Sequence, residues 1–211
     1  MPKLSVIVPV YNVEKYIVEC VCSLLEQTLD DVEYIFVNDC STDRSIEVLQ
    51  NVIDKYPQRK ERITIIHNNT NLGSSTSRNV GISKAKGEYV IFCDSDDYVE
   101  KVAYEEMYMT AIEKHADVVA CGIGYYDENG QCLSNELYNK EKVTKDSLND
   151  LSTIEGGIYS SSCNKMVRRS FLIDNKISFA DGIAMWDDLY ITIKYRLYAE
   201  SFLVIDKPFY H

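Results

Sequence analysis

Asp94-Ser95-Asp96-Asp97 sets three carboxylates within four residues, directly after the apolar run Tyr89–Cys93. Carboxylates that close repel one another unless something positive sits among them. A hard divalent cation with oxygen ligands supplies that charge, and a nucleotide diphosphate commonly completes its shell. The plainer reading is a solvated acidic turn that caps the next helix. Asn38-Asp39-Cys40-Ser41-Thr42-Asp43 follows a second apolar run. Asp39 could accept a hydrogen bond from a base or ribose there, while Thr42 or Asp43 caps the helix that begins near Ser45. Asn71-Leu72-Gly73 and Ser77-Arg78-Asn79-Val80-Gly81 add a Gly turn, a helix start and one Arg. This is neither GxGxxG nor GxxxxGK[ST], so dinucleotide and P-loop readings have no warrant. In so acidic a chain, Arg78 is either a surface helix residue or a partner for a ligand or for one of these carboxylates. Trp186-Asp187-Asp188 opens a late helix, where acidic residues suit the dipole; the sharper reading makes one of them a general base.

The elements that must position these groups alternate. Leu4–Val10, Tyr34–Val37, Ile63–Ile66 and Tyr89–Cys93 are predicted strands. Val13–Glu26, Ser45–Tyr56 and Ser74–Ser83 are predicted helices between them. Strand–helix alternation predicts right-handed crossovers and a mostly parallel sheet, an α/β fold with helices on both faces. Ligands of such sheets bind beyond the carboxyl ends of the strands, where Tyr11-Asn12, Asn38-Asp39 and Asp94–Asp97 all fall. The second half predicts a helix over Val99–His115, a strand over Asp117–Tyr126, a hairpin turn at Asp127-Glu128-Asn129-Gly130 and an exposed polar stretch over Lys140–Ser152. It closes with a helix over Trp186–Ala199, its Leu189, Ile193 and Leu197 at four-residue spacing, and a strand over Phe202–Ile205. With no repeat or linker, the 211 residues read as one domain.

Charge and cysteine usage narrow the partners. Against 33 Asp and Glu stand 22 Lys and Arg, a net −11, which repels a phosphate backbone and argues against nucleic acid. A small phosphorylated ligand stays open, because a bound cation inverts the local charge. The seven cysteines include no CxxC pair and no zinc spacing, so they read as reduced, mostly buried thiols. No stretch reaches the roughly 18 apolar residues of a membrane span and no signal sequence is evident, so the expected location is cytoplasmic.

In this order, the motifs resemble family 2 glycosyltransferases of the GT-A fold. The match runs from Leu4–Asn12 through Val37–Asp43, Asn71–Gly73, Arg78–Ile82 and Asp94–Asp97, and more loosely through Asn164–Arg169 to Trp186–Asp188. Only Ala116–Ser162 is unmatched, a region that varies with the acceptor in that family. The resemblance implies inverting, metal-dependent transfer of a sugar from a nucleotide-diphospho-sugar, UDP-linked, to a glycan or lipid-linked acceptor. It implies a donor half over residues 1–98 and an acceptor half over residues 99–211. Pro9, Val10, Tyr11 and Glu14 would line the base pocket, Asp39 would hold the uracil edge, and Gly73 and Arg78 would lie near the nucleotide. Asp94 and Ser95 would approach the ribose, and Asp96 with Asp97 would bind Mn2+ or Mg2+. Asp188 would be the base, although Asp187, where Glu is usual, leaves both carboxylates as candidates. Asn38 stands where Asp is frequent, and Cys40 stands in a turn where Gly is usual. Proteins of this kind commonly continue past this point, so the chain is expected to be a catalytic fragment of a longer protein that meets the inner face of the membrane. His211 is then a metal ligand, a diphosphate contact or a terminal residue without a role. Two rival readings are an aspartate-nucleophile phosphatase using Asp94 and a nucleotide-sugar-binding module without turnover.

Overall fold

A computed structural model describes residues 1–127, 130–137, 160–182 and 186–211. Its centre is a sheet in the order β3-β2-β1-β4-β7-β5-β6, with β8 alongside β5. The strands are β1 (Leu4–Val10), β2 (Val32–Asn38), β3 (Ile63–His67), β4 (Tyr89–Phe92), β5 (Val118–Tyr126), β6 (Cys132–Glu136), β7 (Lys165–Arg168) and β8 (Phe202–Tyr210). β1 pairs parallel with β2 and β4, and β2 with β3, as the alternation predicts. Beyond β4 the sheet turns mixed. β7 lies antiparallel to both β4 and β5, whereas β8 runs parallel to β5.

β1 is buried on both faces, with Leu4, Val6, Ile7, Val8 and Val10 all at 0% exposure, which is why its sequence does not alternate. Burying each such side chain is worth about 1.5–3 kcal/mol. Pro9 costs this central strand no ladder bond. Ile7 O accepts Cys93 N–H at 3.0 Å, and Pro9, two residues on, faces the same side past the end of β4.

The helices are α1 (Ile17–Leu25), α2 (Ser45–Ile53), α3 (Ser74–Lys84), α4 (Ala103–Glu113), α5 (Arg169–Asp174) and α6 (Asp187–Tyr198). α1 buries Ile17, Cys20, Val21, Leu24 and Leu25, a continuous helical stripe. It begins later than the predicted Val13, because side chains of the α2 entry take the free amides: Ser45 Oγ accepts Val13 N–H at 2.7 Å and Asp43 Oδ2 accepts Glu14 N–H at 3.1 Å. α4 also begins late, since Tyr98 and Glu100 bond to the backbone of His211 and Phe209. The buried face of α6 differs from the predicted one. Ile191, Thr192, Tyr195 and Arg196 are buried and Leu197 is 49% exposed. At about 100° per residue, Leu189, Ile193 and Leu197 share one stripe that is rotated away from the buried one. β6, β7 and α5 are too short to give a pattern in sequence.

The predicted hairpin joins β5 to β6. Glu128, Asn129 and the polar stretch Lys140–Ser152 lie outside the described residues. All seven cysteines are free, with Cys20, Cys93, Cys121 and Cys163 buried. Among the described residues no helix is long and apolar enough to cross a membrane.

Candidate functional site

A cavity of about 280 Å³ opens at the carboxyl ends of β1, β2 and β4. Pro9, Val10 and Tyr11 form one wall, Asp39, Gly73 and Ser74 another, and Asp94, Ser95 and Asp96 the third. Asn71, from the Asn71–Gly73 motif, and Val13 complete it; Val13 and Ser74 are not among the expected site residues. Glu14 turns away: its Oε2 accepts the Arg44 N–H at 2.9 Å, at the entry to α2. Cys40 keeps the left-handed conformation that glycine favours, at φ 67°, so the turn geometry survives the substitution.

Asp39 is 3% exposed and is already a structural acceptor. It takes the N–H groups of Leu72 at 2.8 Å and Gly73 at 2.7 Å, and Asn68 Nδ2 at 2.8 Å. Gly73, at φ +85°, enters α3 on this carboxylate. Ionised carboxylates offer about four acceptor positions, so one is left for a ligand in the cavity.

α3 carries Arg78 inward because Gly81, one turn on, lets the helix lie on β1; a Cβ there would come within 2.3 Å of Ile7 Cγ2. Arg78 is 4% exposed and does not face open solvent. Its Nη2 lies 2.6 Å from Asp94 Oδ1, and its Nη1 lies 2.9 Å from Asp187 Oδ2 and 3.6 Å from Asp188 Oδ1. Burial pulls its pKa down, but the Asp94 and Asp188 carboxylates outweigh that and hold it above the ordinary value. The cation among the carboxylates is therefore, in part, the protein's own.

The two candidate bases separate by their partners. Asp187 Oδ2 also accepts the Ser75 hydroxyl at 2.8 Å and the Ser74 hydroxyl at 3.4 Å, so it clasps the first turn of α3. Asp188 Oδ1 accepts the Ser162 hydroxyl at 2.6 Å, and the residue faces a second cavity of about 280 Å³. Burial raises its carboxyl above the usual range, opposed by Arg78 and Ser162. Trp186, immediately before, is left-handed at φ 64° and 70% exposed.

The second cavity is lined by Asp97, Asp188, Tyr125, Ser160, Ser161, Tyr210 and His211, with Ile123 and Gly124. Tyr210 ties the strand end to the acidic turn: its hydroxyl donates to Asp97 Oδ2 at 2.5 Å and accepts the Asp94 N–H at 3.1 Å. Burial pushes the Asp97 carboxyl up to about 7. His211 packs against Tyr98 and Tyr126 with its Nε2 3.2 Å from Glu100 Oε1, and burial lowers its pKa. Neither Tyr210 nor Ser162 carries any motif signal; both reach the site only through pairing of β8 and the turn before β7.

For a metal, the two expected ligands part ways. Asp96 is exposed at the rim of the first cavity, whereas Asp97 faces the second and is held by Tyr210. Among the described residues no three His, Cys, Asp or Glu side chains make a group that could hold an ion. One or two carboxylates still fit a hard cation that takes the rest of its shell from a diphosphate.

Comparison with known proteins agrees with this geometry. The model of glycosyl transferase family 2 matches residues 5–175. The uncharacterized glycosyltransferase EpsJ of Bacillus subtilis (strain 168) is 45% identical over 153 residues, 69% of this chain and 42% of its own. The poly(ribitol-phosphate) beta-N-acetylglucosaminyltransferase TarS of Staphylococcus aureus (strain MW2) is 34% identical over 215 residues, covering 100% of this chain and 35% of its own. This chain thus spans well under two thirds of either relative. A crystal structure of S. aureus TarS 1-349 in complex with UDP-GlcNAc superposes with a TM-score of 0.82 at 32% identity, over 99% of this chain and 57% of that one. On the family match and the shared GT-A architecture, this chain belongs to glycosyl transferase family 2.

Proposed function

We propose that this chain transfers a sugar from a UDP-linked donor to an acceptor hydroxyl, with inversion at the anomeric carbon. The observation that carries it is the pair of cavities on either side of Asp94–Asp97, with Asp188 on the second. The first is lined only by residues from Pro9 to Asp96 and suits the nucleoside. The second is lined by residues from Asp97 to His211 and suits the incoming acceptor. That division supports a donor half over residues 1–98 and an acceptor half over residues 99–211. UDP is chosen on the similarity to TarS, which is described in complex with UDP and with UDP-GlcNAc.

In the reaction, Asp188 removes the proton of the acceptor hydroxyl as its oxygen bonds to the anomeric carbon. The bond from that carbon to the diphosphate breaks on the opposite face, and its electron pair leaves with the nucleoside diphosphate. A single displacement inverts the centre and needs no sugar–enzyme intermediate. Arg78 holds Asp94, on the donor side, and Asp187 and Asp188, on the acceptor side, in one arrangement. That contact across the site favours turnover over a binding module. A divalent ion, Mn2+ or Mg2+ held by Asp96 with Asp97 nearby, would neutralise charge on the leaving diphosphate. A glycan or lipid-linked acceptor at the cytoplasmic face of the membrane is the proposed setting, and family membership leaves the phosphatase reading of Asp94 without support. The test is thermal shift against UDP- and GDP-sugars with and without Mn2+, followed by UDP release. Stabilisation by GDP-sugars alone would overturn the nucleotide assignment.

A further inference from the structure

Asp188 is aimed from behind by a short strap, residues 160–165, that joins it to β5. Asn164 anchors the strap: its side-chain amide donates to Cys121 O at 2.7 Å, and its own carbonyl accepts the Cys121 N–H at 2.9 Å. Lys165, only 1% exposed, folds back to donate to Ser161 O at 2.5 Å and to Asn164 Oδ1 at 2.8 Å. The Thr192 hydroxyl of α6 is shared between Leu189 O at 3.2 Å and Ser160 O at 3.3 Å, which brings the strap against the helix that carries Asp188. Ser160 and Ser161 face the second cavity, whereas Ser162 is 0% exposed and gives its hydroxyl to Asp188 Oδ1 at 2.6 Å.

We infer that Ser162, locked in place by Asn164 and the buried Lys165, is a positioning residue that fixes the rotamer of Asp188 for proton removal. The inference rests on Asp188 being the base. Burial lowers the Lys165 amine to about 7, and its bonds to Ser161 O and Asn164 Oδ1 tie together the turn that carries Ser162. With Oδ1 held by Ser162, Asp188 has Oδ2 left to meet an acceptor hydroxyl. Arg78 lies farther from Asp188 than from its two closer carboxylates, so Ser162 makes the shorter contact.

The groups around Asp188 are Arg78 from α3, Asp94 from the acidic turn, Cys163 and Lys165 from the strap, Asp187 and Tyr195 from α6, and, lining the same cavity, Asp97, Tyr125, Tyr210 and His211. Against that background, one donated hydrogen bond stabilises the charged carboxylate, and its removal favours the neutral acid. The experiment is a pH titration of the carboxyl carbon of Asp188 in 13C-aspartate-labelled protein, the resonance assigned by its loss in Asp188→Asn. In Ser162→Ala the midpoint should move up by about one pH unit. Ser162→Cys leaves no void and offers only a weak donor; it should move the same way, which covers a cavity defect in the alanine variant. UDP release should fall about tenfold or more in both variants, measured on whichever of UDP-glucose, UDP-galactose and UDP-GlcNAc is turned over fastest, with the donor KM unchanged. An unmoved midpoint, with Asp188→Asn inactive, would overturn the inference alone. Full UDP release by Asp188→Asn would instead overturn the reading of Asp188 as the base, and the inference with it.

Discussion

Arg78 Nη2 lies 2.6 Å from Asp94 Oδ1, joining the middle of α3 to the end of β4. The same guanidinium reaches Asp187 and Asp188 across more than a hundred residues of chain. One buried cation therefore joins the strand end at the first cavity to the helix start at the second.

Arg78→Met should destabilise the fold by about 1–3 kcal/mol, because it removes the buried partner of three half-buried carboxylates. Urea unfolding measures it. A loss below about 1 kcal/mol would mean that the cluster behaves like an exposed surface pair.

UDP should stabilise the chain only when Mn2+ or Mg2+ is present, since Asp94 is neutralised by Arg78 but Asp96 is exposed at the cavity rim. At one hundred times the dissociation constant the gain should be about 2.7 kcal/mol. Asp96→Asn should weaken that binding. Equal stabilisation in EDTA would remove the metal role of Asp96.

Asp188→Asn should lower UDP release by roughly 10²–10⁴-fold while leaving metal-dependent UDP affinity intact. Asp187→Asn should chiefly reduce stability, because Asp187 clasps Arg78, Ser74 and Ser75. If it is Asp187→Asn that abolishes turnover while Asp188→Asn remains active, the base is one residue earlier.

The metal-free chain should lose stability as pH rises between about 4 and about 7, through the Asp97 carboxyl. In that window the folded chain holds a proton on Asp97 that the unfolded chain has released, so raising pH favours unfolding. Asp97→Asn should flatten the decline. Denaturant midpoints measured across the window check this, and parallel curves for the two proteins would assign the decline to other groups.

Much of the first cavity is legible in the chain alone. Apolar runs such as Leu4–Val10 and Tyr34–Val37 mark buried parallel strands, and the polar residues that follow each run fall at one sheet edge by the geometry of right-handed crossovers. Pro9, Val10, Tyr11, Asp39, Gly73, Asp94, Ser95 and Asp96 meet around one cavity for that reason. These are local signals: a run, a turn and a cap, each within a dozen residues. Tertiary structure alone decided which partner each charged group takes. Glu14 caps α2, Arg78 is spent on three carboxylates, and Asp187 and Asp188 divide between clasping a helix and facing a cavity. Tyr210 and Ser162 reach the site because β8 returns beside the acidic turn and Asn164 pins its strap to β5. Such pairings depend on strand order and on side-chain directions set across 26 to 116 residues of intervening chain. Periodicity, which reports one element at a time, carries no record of them.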